Sequence, residues 1–113
     1  MSEYSAPDLT YLKELSGGNE EFLKQIITIF LEDTPDMLNK IKDGISSGNL
    51  EQVRFYSHKL VSQLPMVGIN DAVDDARTID REYKSLPDMP QRVARMIDII
   101  EYGMVYLKKI AEQ

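Results

Sequence analysis

Asn49-Leu50-Glu51-Gln52-Val53-Arg54-Phe55-Tyr56-Ser57-His58-Lys59-Leu60-Val61-Ser62-Gln63-Leu64-Pro65 decides how the chain is read. Leu50, Val53, Ser57, Leu60 and Leu64 recur at the i, i+3, i+4 spacing of one buried helix face. Asn49 stands before the stripe as an N-cap, and Ser46-Ser47-Gly48 closes whatever precedes it. Pro65 and Gly68 mark the end. Pro65 removes the hydrogen bond to the Val61 carbonyl, so a kink is expected in the last turn. At about 100° of rotation per residue, His58 stands about 120° from the core direction and Phe55 about 180°. Glu51, Phe55, His58 and Ser62 then share the outer face, while small Ser57 lets a neighbouring helix approach closely on the inner one.

The rest of the chain is helical in pattern too. A short first helix is expected over Asp8–Leu15, capped by Asp8, with Leu9, Leu12 and Leu15 at helical spacing and Gly17-Gly18 as its stop. Asn19 caps a second helix opened by Glu20 and Glu21, the sign that the helix dipole favours. Its expected stripe is Phe22, Ile26, Ile29 and Phe30, continued after Pro35 by Met37, Leu38, Ile41 and Ile45. Pro35 either kinks one long helix or ends one near Asp33 and starts another. Asn70 is expected to cap a fourth helix, with Val73, Ala76, Ile79 and Tyr83 inward and Asp71, Asp74 and Asp75 explained by the dipole. A loop from Ser85 to Pro90 leads to a last helix reaching about Ala111, with Val93, Ile97, Ile100, Met104, Leu107 and Ala111 inward. Alternating strand runs and hairpin signals are absent. One-striped helices joined by short loops are best satisfied by an all-α, antiparallel up-down-up-down four-helix bundle, with the short N-terminal helix capping one end.

Length and composition narrow the function. The 113 residues suit a single domain, 1–113, and 42% hydrophobic content supports a real core. Six methionines with no tryptophan read first as adaptable core filling. No apolar run approaches the roughly 20 residues of a membrane span. Met1 to Asp8 lack the apolar stretch of a signal peptide, so a cytoplasmic protein is expected. A net charge of −6 argues against nucleic acid and anionic membranes, which need a basic face. Without cysteine there is no disulfide and no thiolate metal site. A monomer is the default expectation.

His58 is the one histidine, and imidazole is the side chain that serves as neutral nucleophile and general base near pH 7. Beside it, Phe55 either forms part of a docking surface or packs under the first helix or a loop.

Asp8 to Leu12 through Gly17-Gly18, then Glu21-Phe22-Leu23, then Phe30-Leu31-Glu32-Asp33-Thr34-Pro35, closely resembles the opening of histidine-containing phosphotransfer (HPt) domains. His58-Lys59-Leu60 with Gly68 beyond it resembles that family's phosphorylation motif. The resemblance implies a helical bundle whose exposed His58 takes a phosphoryl group from the phospho-aspartate of one response-regulator receiver domain and passes it to another. It implies a hybrid sensor histidine kinase upstream, no ATP site or autokinase activity, and no cofactor or metal of the domain's own. The family usually has lysine three residues after the histidine and a small residue at four. Here those positions are Val61 and Ser62. Ser62 preserves close approach, but Val61 cannot offer charge to a phosphate. Lys59 and Arg54 are the candidate replacements, and Ser62 and Gln63 candidate hydrogen-bond partners. Glu51 or Arg54 could hold the imidazole Nδ1. Docking is expected on Phe55, Glu51 and Val61.

Two rival readings follow. A bundle that binds receivers but is never phosphorylated draws support from Val61. A di-metal bundle is weak, because it needs Glu-x-x-His pairs on facing helices and one histidine cannot supply two. A kinase or hydrolase is weaker still, since Gly17-Gly18 lacks the Gly-Lys-Ser sequel of a phosphate loop.

Overall fold

The computed structural model describes residues 4–113; Met1 to Glu3, part of the leader read above, lie outside the described residues. Five α-helices follow one another: α1 (Thr10–Ser16), α2 (Glu20–Ser47), α3 (Leu50–Met66), α4 (Val73–Glu82) and α5 (Met89–Ala111), with a 3-10 turn at Asn70–Ala72 leading into α4. Helices α2 to α5 form the antiparallel up-down-up-down bundle. Each packs on its sequence neighbour, and α5 closes the ring on α2. At 1.5 Å per residue α2 runs about 42 Å, which sets the 43 Å long axis.

The boundaries come from local chemistry. Asn19 and Asn49 cap α2 and α3 as expected, accepting from the backbone N–H of Phe22 at 3.0 Å and Gln52 at 3.1 Å. Gly17 and Gly48 end the preceding helices in left-handed geometry, φ 59° and 73°. Two expectations shift. Helix α1 starts at Thr10 rather than Asp8, because the Asp8 carboxylate turns back to accept from both the N–H and the hydroxyl of Thr10. Asn70 opens a 3-10 turn and makes no side-chain cap. Of the two readings of Pro35, the single long helix holds: α2 runs through it unbroken over 28 residues.

The core is apolar and continuous. Ile27, Ile41, Val53, Leu60, Leu64, Ile79, Met96, Ile100 and Leu107 are fully or almost fully buried. On α2, Phe30, Met37, Leu38 and Ile41 are buried as expected, but the first turns bury Leu23 and Ile27, one position along from the stripe expected there, and Thr34 joins them. Phe22 and Ile29 are exposed instead, Ile29 by 59%. On α3, Val53, Ser57, Leu60 and Leu64 face inward as expected, and only Leu50 at the first turn is exposed. On α4, Tyr83 reaches the rim rather than the core. Helix α1 lies on α2 and α3 and buries Leu12 completely, about 1.5–3 kcal/mol of burial from one side chain. Backbone approaches are close where glycine allows. A Cβ on Gly44 would come within 2.8 Å of Val53, and one on Gly103 within 2.8 Å of Ile69, which seats the α3–α4 turn on α5.

Candidate functional site at the α3–α4 rim

Antiparallel packing of α3 on α4 brings polar side chains together along their shared outer seam. Glu51 accepts from the Tyr83 hydroxyl at 2.7 Å. One turn along, Asp80 bridges two α3 residues, with Oδ1 3.0 Å from Arg54 Nε and Oδ2 2.9 Å from His58 Nδ1. The imidazole is 60% exposed and the carboxylate 18%.

Electrostatics fixes the protons. Burial pushes the Asp80 carboxyl up, but the hydrogen bonds and charges of His58 and Arg54 outweigh it and hold it below the usual carboxylate range. A carboxylate only accepts, so the 2.9 Å contact makes Nδ1 the ring's donor to Asp80 and leaves Nε2 as the other nitrogen. The ring is thus held at one nitrogen and open to solvent at the other. Tyr83 titrates above the usual phenol range, because its hydrogen bond to Glu51, then burial and the Glu51 charge, favour the neutral phenol against an opposing Arg54.

Several expected roles change. The Nδ1 partner is Asp80, not Glu51 or Arg54. Glu51 is engaged by Tyr83, and Arg54 by Asp80. Lys59 lies over the rings of Phe55 and Tyr56, 4.7 and 5.7 Å from their centroids. Val61 is partly buried against the core and offers little surface for docking. Phe55 stays 50% exposed, edge-on to Tyr56 at 5.0 Å, so it does not pack beneath α1. Ser62 donates to the Lys59 carbonyl at 3.3 Å and is exposed one turn past His58.

Two features were not anticipated. Asp80 sits 22 residues from His58 on another helix and carries no local signal. An apolar groove of about 250 Å³ between α2 and α3, lined by Ile26, Ile29, Ser62, Gln63 and Met66, opens beside the site. The described residues contain no cluster of three or more His, Cys, Asp or Glu arranged to hold a metal, and no helix long and apolar enough to cross a membrane.

The family model described as Hpt domain matches residues 25–108. The fold is similar to the crystal structure of histidine-containing phosphotransfer protein B (HptB) from Pseudomonas aeruginosa PAO1, with a TM-score of 0.83 and 16% identity over 96% of this chain and 97% of that one. No curated protein matches in sequence.

Proposed function

Because the chain belongs to the Hpt domain family, whose work is histidine phosphotransfer in phosphorelays, we propose that His58 is its phosphoryl carrier. The observation that carries the reading is the half-held ring, with Nδ1 fixed by Asp80 and Nε2 facing solvent. The Nε2 lone pair forms the N–P bond as the O–P bond of a receiver's aspartyl phosphate breaks, and that bond's electrons return to the aspartate carboxylate. The Nδ1 proton stays where it is, so no proton need leave the ring. The phosphoryl-bearing ring is then cationic and lies against the Asp80 carboxylate. Such transfer depends mainly on positioning and charge neutralisation. The receiver supplies the metal; this chain supplies the nucleophile and its orientation.

Phe55 on one side of His58 and the Ile26–Ile29–Met66 groove on the other supply apolar surface for the receiver. Residues 1–113 act in this reading as one cytoplasmic, monomeric relay module between receivers, loaded from a hybrid sensor kinase. Incubation with a receiver carrying labelled phospho-aspartate tests it. Acid-labile label is expected on wild type and none on His58→Gln, whose exposed site costs little stability. Equal labelling of the two proteins would place the acceptor elsewhere and overturn His58 as the carrier, and no label on wild type across a receiver panel leaves only a module that docks without transfer.

A further inference from the structure

The phosphoryl group that His58 is proposed to carry needs a positive charge beside it, and α3 does not provide one. Val61 is aliphatic, Arg54 is spent on Asp80, and Lys59 lies over Phe55 and Tyr56. We infer that Arg77 of α4 is the phosphate-binding cation, reaching from the neighbouring helix to the Nε2 side of His58; the inference rests on the relay reading above.

The register of α3 against α4 carries this. Glu51 pairs with Tyr83 and Arg54 with Asp80, so a step of one turn up α3 is a step of one turn down α4. The next turn of α3 holds Ser57 and His58, and the next turn of α4 holds Ala76 and Arg77. Ser57 and Ala76 are both fully buried, as facing small residues at a close helix contact should be. Rotation separates their neighbours from the core. Arg77 lies about 60° from Asp80 around α4, on the side opposite Ala76 and therefore toward solvent. It is exposed and has no ion-pair or hydrogen-bond partner among the described residues. Helical side chains lean toward their own N-terminus, so the His58 ring leans back to Asp80 and the Arg77 stem starts the opposite way along the rim; its unpaired guanidinium swings back across the seam to meet a phosphoryl group on the open side of the ring. The other cations on this face fit less well. Arg81 is one turn away, level with Val53, and Lys84 lies over the Tyr83 ring at 5.8 Å.

In the transfer step Arg77 forms and breaks no covalent bond. Its guanidinium donates to the equatorial phosphoryl oxygens as the N–P bond forms, and it keeps its proton throughout.

The test follows labelling of His58 by a phosphorylated receiver, and the lifetime of the phosphohistidine, in Arg77→Gln, Arg77→Lys and the double variant Arg77→Gln/Val61→Lys. Arg77→Gln should slow labelling or shorten the lifetime roughly three- to tenfold, the range of a solvent-screened charge-assisted contact. Arg77→Lys should keep most of the wild-type behaviour. Lysine at position 61 should restore it in the Gln background, because it returns the charge from α3. Arg77→Gln matching a wild type that labels normally on His58 overturns the inference and leaves the relay standing. Failure of Val61→Lys to recover any of the loss also overturns it, since the defect is then not a missing charge. A wild type that never labels overturns the relay reading and this inference with it.

Discussion

Helix α4 carries two bridging carboxylates, Asp75 and Asp80, and each meets two nitrogenous partners on a neighbouring helix. Asp75 is 5% exposed and clamped by Arg92 and Arg95 of α5, with Arg92 3.1 Å away. Its hydrogen bond holds Arg95 above even the usual guanidinium range. The dipole accounts for Asp74 at the start of α4, but Asp75 points into this clamp and Asp71 accepts from the Ser5 backbone N–H. Asp80 is more open, and one of its partners is an exposed imidazole. Two always-charged arginines around a buried acid make a fixed tie. One arginine and one exposed imidazole around a half-open acid make an adjustable one. The difference separates architecture from chemistry on a single helix.

Substitution should split the pair cleanly. Asp75→Ala takes the buried acid from Arg92 and Arg95, leaving Arg92 only its 3.3 Å contact with Asp88, and should cost about 2–3 kcal/mol in urea unfolding. The folded fraction of that variant should still accept label at His58. Asp80→Ala should do the reverse. Its partners are exposed, so stability should fall by about 1 kcal/mol or less. The untethered ring should lose about 10- to 100-fold in transfer rate, measured with a phosphorylated receiver. Equal losses of stability in the two variants would dissolve the distinction. A smaller effect sharpens it. Because the folded Asp80 carboxyl titrates below 3.8, its tie contributes stability above that pH and loses it as pH falls through the lowered folded value. The stability gap between wild type and Asp80→Ala should therefore hold at about its neutral size down to pH 4 and close below it, by about a few tenths of a kcal/mol.

Much of this was legible in sequence where the signal is local. Asn19, Asn49, Gly17 and Gly48 set helix ends through contacts within a few residues, and the α3 stripe placed His58 outward without knowledge of its neighbours. The first half of the α2 stripe was misread because Phe22-Leu23 and Ile26-Ile27 offer apolar residues at adjacent positions, so two stripes one residue apart fit the sequence equally well. Thr34 is buried with its hydroxyl unpartnered, and the apolar period passes straight through it. Asp80 could not be read locally, since its value arises only when α4 lies antiparallel beside α3. The same holds for Lys59, whose partners were visible at i−3 and i−4 but whose preference for a ring over an anion was not.

The segment before α1 also shapes what a visitor encounters. Asp8 donates its N–H to the Gly68 carbonyl, and the two backbones pass so closely that a Cβ on Gly68 would fall 1.9 Å from the Asp8 oxygen. Ser5 ties to Asp71, and the Tyr4 ring meets Tyr102 of α5 edge-on at 5.8 Å. The irregular stretch from Tyr4 to Asp8 thus lashes the turn after α3 to α5 on the far side of the bundle. A sideways load applied where a guest protein leans on α3 is shared with α5 through this girth strap, so the end of the stack resists being prised apart.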